Sequence, residues 1–180
     1  MSTNPTKYKI ACRVAGVDDV AALAEIGYAS FRAAYEGTCS TEDLVAHLDD
    51  HFSDTAIRAE LKSPGRTYLM ATADGVPAAL AKLRVGDRPA AVPQENVLEI
   101  QQFYVSPDHQ RLGLGKWLMD VVFNVARETV VSGVWLSVWE DADWAVKFYL
   151  SRGFKQVGTA DYPLGSTVYN DYLMWYPLLD

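Results

Sequence analysis

Residues 98–119 read LEIQQFYVSPDHQRLGLGKWLM. The first eight are apolar, branched and aromatic in the manner of a strand, and Ser106-Pro107 closes it. Further on, Leu114, Leu118, Val121, Val122 and Val125 recur on one side, while Lys116, Asp120, Asn124, Arg127 and Glu128 take the other. That spacing predicts a helix over 112–129. Between strand and helix lies Gln110-Arg111-Leu112-Gly113-Leu114-Gly115. The first turn of a helix has N–H groups without partners and the positive end of a dipole. Glycines let that backbone approach a phosphate closely, and Arg111 and Lys116 add charge. The stretch is an anion cradle or a turn that ends a strand.

Spacing narrows the choice of anion. A P-loop needs a hydroxyl after its lysine, but Trp117 follows Lys116. A dinucleotide loop follows the first strand and has a third glycine, where this late loop has Leu118. A pyrophosphate bound without magnesium and without a dinucleotide half points to coenzyme A.

Outward from this stretch, 8–15 reads as a strand and 17–36 as a helix ended by Gly37. A second helix, capped by Ser40 or Thr41, runs to about Lys62 with a possible break near Ser53. RTYLMATADG and VPAALAKLRVG make a hairpin turning at Asp74-Gly75. After the loop come the strand GVWLSVW, the short helix DWAVKFYLSRG with Gly153 just past its end, and the strands FKQVGTADYPL and TVYNDYLMWYP. The order β-α-α-β-β-β-α-β-α-β-β demands a crossover and at least one parallel pair. The expectation is one α/β domain over residues 1–180.

The chain has 180 residues, 16 Lys+Arg against 23 Asp+Glu, and a net charge of −7. It lacks the basic balance of a generic nucleic-acid binder and suits a cationic small substrate. No apolar run reaches the ~18 residues of a membrane span, and the N-terminus has no apolar signal core. Cys12 and Cys39 form no CxxC pair and read as reduced thiols, so a cytoplasmic protein without membrane or nucleic-acid partners is expected. His47-x-x-x-His51 places two imidazoles on one helical face; with no Cys near and no H-E-x-x-H, they read as exposed surface histidines, and no metal is expected.

The opening stretch, followed by GVWLSVWE and AVKFYLSRGF, resembles the GCN5-related N-acetyltransferase (GNAT) family. Residues 110–115 match its Q/R-x-x-G-x-G/A acetyl-CoA loop, and Phe148-Tyr149-Leu150-Ser151-Arg152-Gly153-Phe154 matches its F-Y-x-x-x-G-F signature. Glu99, Glu140, Gly165, Asp171 and Met174 fall where the bacterial spermidine/spermine N-acetyltransferase-like branch has like residues. The chain departs from the family at Ala142, where Asn is usual, and from the branch at Gln102 and at Ala79-Leu80-Ala81-Lys82. The resemblance implies a mixed, mostly antiparallel sheet of about seven strands with splayed central parallel strands and about four helices. It implies acetyl-CoA as co-substrate and a primary amine of a small molecule, with polyamines included, as acceptor. A peptide or protein amine, or a non-catalytic acyl-CoA-binding regulator, are the alternatives.

Within that resemblance, pantetheine lies between the fourth and fifth strands against backbone groups of Phe103, Tyr104 and Val105, and the pyrophosphate sits on Gln110, Arg111, Leu112, Gly113, Leu114, Gly115 and Lys116. A bulge in the fourth strand would free an N–H for the thioester oxygen. Tyr149, a cofactor contact, is the candidate acid, because a phenol is protonated at neutral pH and can donate to a departing thiolate. Glu99 is the candidate base, direct or through water; strict alternation puts it on one face with Gln101 and Phe103. Its alternative is a strand-end carboxylate exposed to solvent or paired with Arg or Lys. Glu140 and Asp141 are weaker candidates for orienting a cation. The aromatic tail YNDYLMWY reads as a core strand by default, with an acceptor pocket or a homodimer face as alternatives.

Overall fold

The structure, a computed structural model, describes residues 8–178. Seven strands, β1 (Ile10–Val14), β2 (Arg66–Ala73), β3 (Val76–Gly86), β4 (Val97–Val105), β5 (Gly133–Trp139), β6 (Lys155–Leu164) and β7 (Thr167–Pro177), form one sheet in the order β1-β2-β3-β4-β5-β7-β6. Only β4 and β5 run parallel among these neighbours; the remaining pairs are antiparallel. The mixed sheet and its parallel centre agree with the expectation from element order.

Five helices cover the two faces: α1 (Val20–Tyr35), α2 (Thr41–Phe52), α3 (Asp54–Leu61), α4 (Leu114–Glu128) and α5 (Asp143–Ser151). The extra helix arises at Ser53, whose backbone is extended (φ −68°, ψ 155°). Its hydroxyl accepts from the N–H of Ala56 at 3.3 Å, so a new N-cap interrupts what reads as one helix. Ser40 caps α2 in the same way, accepting from Asp43.

α4 and α5 pack on one face, which we call the donor face. There Leu118, Met119, Val122 and Ala126 of α4 meet Ala81, Leu83, Leu98, Ile100, Val134 and Leu136 of the sheet. α1, α2 and α3 cover the other, acceptor face, against Tyr68, Met70, Leu80 and Tyr104. The period-2 alternation of buried residues in β2, β3 and β5 divides these side chains between the faces, which is why the strands are apolar on both.

The centre of the sheet is irregular in two respects. The β3–β4 register slips between Lys82↔Gln102 and Leu83↔Ile100, so Gln101 is the additional residue of a bulge. And β4 pairs with β5 only at Leu98↔Val134 and Glu99↔Trp135. Beyond those pairs β4 stays with β3 up to Val105, and β5 stays with β7 up to Trp139. The two strands therefore diverge, and their facing edges open a gap through the middle of the sheet.

Candidate active site

The glycine loop 110–116 stands at the divergent end of β4. Gly113 precedes α4 with φ +81°, and nothing lies within 4 Å of where its Cβ would be. The first helical bond runs from Trp117 N–H to the Gly113 carbonyl at 3.1 Å, leaving the N–H groups of residues 114–116 without a helical acceptor. Arg111 is also left-handed (φ 63°). Arg111 and Lys116 are exposed, and neither is drawn into an ion pair among the described residues. Gly115 lies against Val105 and Phe148, where a Cβ would sit at 3.5–3.8 Å. Gln110 behaves differently from its loop neighbours. Its amide donates to the Val105 carbonyl (3.2 Å) and its N–H to the Pro107 carbonyl (3.4 Å), so both donors build the loop.

Tyr149 projects from α5 into the donor-face core, 8% exposed, with ring centroids 5.3 Å from Phe148, 5.7 Å from Phe154 and 6.4 Å from Phe103. Burial pushes its phenol above the usual value, which keeps it protonated at neutral pH. Phe103 and Val105 share this donor face. Tyr104 points the other way, into the acceptor-face clusters, 6.0 Å from Phe52.

Glu99 is not on the same face as Phe103. The bulge at Gln101 adds one residue, which inverts the alternation beyond it. Glu99 thus keeps Gln101 beside it, and Phe103 goes to the donor face. On the acceptor face Glu99 Oε2 accepts from Arg84 Nε at 2.7 Å. Burial raises its pKa more than Arg84, Gln101 and Lys82 lower it. It is both the desolvated carboxylate and the strand-end ion pair that its sequence context offers.

Over β5 and β7 the acceptor face is aromatic. Tyr35 stacks on Trp139 at 5.3 Å and meets Tyr169 edge-on at 5.3 Å, with Tyr162 at 6.3 Å. The β6–β7 turn is clasped to α2: Asp43 Oδ2 accepts from the Ser166 N–H (3.1 Å) and hydroxyl (2.8 Å). Gly165 is left-handed (φ +57°), and a Cβ there would collide with the Asp43 carboxylate. Tyr162 and His47 share a hydrogen bond of 3.1 Å, and His47 stacks on Phe31 at 4.5 Å. His47 is therefore half-buried rather than an exposed surface histidine, and burial drives its pKa down to about 4. Asp171 lies between Trp139 and Ala160 on β7, buried, its pKa raised to about 6 mainly by desolvation. The aromatic tail carries this carboxylate because alternate residues of β7 face the same side; sequence pattern alone shows only a strand.

Glu140 accepts from Asn170 at 2.7 Å. Ala142 stands at the N-cap of α5 without a side-chain cap. Among the described residues no group of three or more His, Cys, Asp or Glu is placed to hold a metal, and no helix is long and apolar enough to cross a membrane. Cys12 and Cys39 are free thiols.

The sequence profile of the acetyltransferase (GNAT) family matches residues 28–154, which include the bulged strand, the anion loop and the tyrosine helix. The chain belongs to this family. It is an acetyl-CoA-dependent N-acetyltransferase of the GNAT type, with acetyl-CoA as co-substrate. It is 32% identical over 135 residues to the uncharacterized N-acetyltransferase in the pepI 3′ region of Lactobacillus delbrueckii subsp. lactis, covering 75% of this chain and 78% of that one. It is 34% identical over 111 residues to the N-alpha-acetyltransferase RimI of Mycobacterium tuberculosis, covering 61% and 65%. In fold it is similar to the PaiA N-acetyltransferase of Thermoplasma acidophilum in complex with coenzyme A (TM-score 0.75, 21% identity, 94% of this chain and 99% of that one). The ribosomal-protein-S18-alanine N-acetyltransferase of Escherichia coli also shares the fold (TM-score 0.68, 18% identity, 94% of each chain).

Acetyl-CoA supplies the thioester whose acyl carbon this acetyltransferase passes to an amine. The residues at hand fit it. A left-handed glycine and free first-turn N–H groups suit an anion, and the gap between β4 and β5 has edge backbone groups for an extended ligand to pair with.

Proposed function

We propose that this acetyltransferase acts on a small, positively charged primary amine, with polyamines as the representative class. The observation that carries the reading is the closed acceptor face. The β6–β7 hairpin is held to α2 by Asp43 and His47, over an aromatic wall with a buried acid. Aromatic faces and a carboxylate favour an ammonium, and a pinned hairpin limits access for a bulky chain.

In this reading Arg111, Leu112, Gly113, Leu114, Gly115 and Lys116 hold the pyrophosphate on a loop that Gln110 braces. Backbone groups of Phe103, Tyr104 and Val105 line the pantetheine, and the bulge at Gln101 leaves room for an N–H to meet the thioester oxygen. Tyr149 donates a proton to the departing thiolate. Glu99 acts on the amine from the floor of the acceptor face, through water. The amine attacks directly, with no covalent enzyme intermediate.

The test is thiol release from acetyl-CoA over a panel of spermidine, short diamines and peptides with a free N-terminal amine. The expected result is a kcat/KM for spermidine at least about tenfold above that for any peptide, a preference of ~1.4 kcal/mol. A preference for the peptides would overturn the small-amine reading in favour of a peptide acceptor, which the similarity to RimI makes the competing choice.

A further inference from the structure

Two carboxylates on the acceptor side, the half-buried Glu99 and the buried Asp171, keep different company. Glu99 has a guanidinium at 2.7 Å, and Lys82 adds to the positive field around it. Asp171 has no such partner. It is 5% exposed, its Oδ1 is buried without a hydrogen-bond partner among the described residues, and none of the ion pairs there includes it. The groups that face it are the Ser137 hydroxyl and the Glu140 carboxylate from the β5 side, the Tyr35 phenol from α1 and the Tyr162 phenol from β6. Ser137 favours its charged form; Glu140 opposes it. None of the four is a cation.

A buried carboxylate without a counter-ion is costly to the fold. Groups of this kind are concentrated at functional sites, where a ligand can supply the missing charge. The place fits this. Ser137 is exposed although it lies in a central strand, because β4 has already diverged from β5 there. Asp171, leaning on Ser137, therefore sits beside the gap in which the thioester is presented, paired with Trp139 across the β5–β7 ladder and within the field of the Tyr35 phenol.

We infer that Asp171 is the docking point of the acceptor ammonium and the acceptor of its first proton. This rests on the reading that the acceptor is an amine drawn in as a cation. Asp171 pairs with R–NH3+, one N–H proton passes to the carboxylate, and the freed lone pair attacks the acyl carbon. The C–N bond forms and the C–S bond breaks. The second proton lost by nitrogen, relayed on the Glu99 side, balances the proton that Tyr149 gives to the thiolate. The products are the N-acetyl amine and the free thiol, with one proton left on Asp171 for solvent to remove. Glu99, held by Arg84, is placed for the second proton and not for the first.

The experiment compares Asp171→Asn, Asp171→Glu and Glu99→Gln with the wild type, following kcat/KM for spermidine against pH. Wild-type kcat/KM falls as pH drops through about 6, because a protonated Asp171 neither holds the ammonium nor takes its proton. Asp171→Asn lowers kcat/KM by about 100-fold or more and removes that acid limb. It keeps the affinity for acetyl-CoA and melts higher at pH 7, since an amide ends the burial of an unpaired charge. Asp171→Glu restores part of the rate and the acid limb. Glu99→Gln lowers kcat and keeps the limb.

The inference is overturned if Asp171→Asn stays within about threefold of wild type, or if its acid limb persists. It is equally overturned if this variant melts lower and binds acetyl-CoA more weakly, the mark of a structural residue. If the wild type acetylates a free N-terminal peptide but not spermidine, the small-amine reading falls alone, and the same variants decide the role of Asp171 on that peptide. Turnover of neither ammonium overturns both.

Discussion

The loop before α4 and the aromatic face over β5 and β7 are built by different means. The loop uses the backbone: a left-handed Gly113, three first-turn N–H groups and two exposed cations outside the ion pairs of the described residues. Its elements are contiguous in sequence, so its geometry follows from a helix starting after a glycine. The aromatic face is assembled from Tyr35 of α1, His47 of α2, Trp139 of β5, Tyr162 of β6 and Asp171 of β7. No two of these are neighbours in the chain. A backbone site of this kind suits a ligand common to a family, whereas a side-chain site can change with its acceptor without disturbing the donor.

If that division holds, variants at the loop should affect the donor and variants at the face should not. The largest effect is expected for Gly113→Glu. The side chain must adopt φ +81° and brings negative charge to the anion position, so the affinity for acetyl-CoA, read by calorimetry, should fall by more than about 100-fold. Gly113→Ala, with open space for its Cβ, should fall less, and unchanged affinity in both variants would remove the loop from the donor site.

Tyr149→Phe lies between the two regions. Its kcat should drop by roughly 10- to 100-fold while acetyl-CoA binds as before, since the ring packing against Phe103, Phe148 and Phe154 is retained. A full rate would make Tyr149 a packing residue only.

Asp43→Ala releases the clasp. We expect KM for the amine to rise about fivefold with the donor affinity unaltered, since closing elements position substrate and not cofactor. Donors from Ser166 hold the Asp43 carboxyl below the usual carboxylate range. For a lowered acid pKa the contribution is complete above the unfolded value and is lost as pH falls through the folded one. The protection of the Ser166 N–H against hydrogen exchange should therefore be lost only in acid, as pH falls through that lowered value.

The smallest effect is at His47. Its folded pKa of about 4 lies below the free value of 6.5, so the unfolded chain binds more protons between these limits and stability rises with pH there. His47→Gln should flatten that part of the melting-temperature curve by a degree or two, about what a small change in stability produces. Asp171 slopes the other way in nearly the same window, because its pKa is raised: its contribution to stability falls as pH rises from 3.8 to about 6. Measuring both variants separates the two.

The element order was legible because each element announces itself locally. Gly37, Ser40, Gly113 and Gly153 end or start helices where they stand, and β5 and β7 are rich in branched and aromatic residues. Even the break at Ser53 shows in a serine that can cap. Two details were hidden. Period-2 counting from Glu99 puts Phe103 on its face, and the bulge at Gln101 undoes that count, since a bulge depends on the register against β3 rather than on β4 itself. His47 looks like a surface residue because nothing on α2 shows that β6 will pack over it.

The sequence by itself determined the family, the donor and a glycine loop at a helix start, because those rest on local backbone geometry and on residues close together along the chain. The tertiary structure decided the acceptor side. Only the sheet order β5-β7-β6, the divergence of β4 from β5 and the packing of α1 and α2 bring Asp171 beside Trp139 and the Tyr35 phenol while leaving Arg84 with Glu99. Which carboxylate keeps a counter-ion is set by neighbours far apart in sequence, so the contrast between Glu99 and Asp171 exists only once the chain is folded.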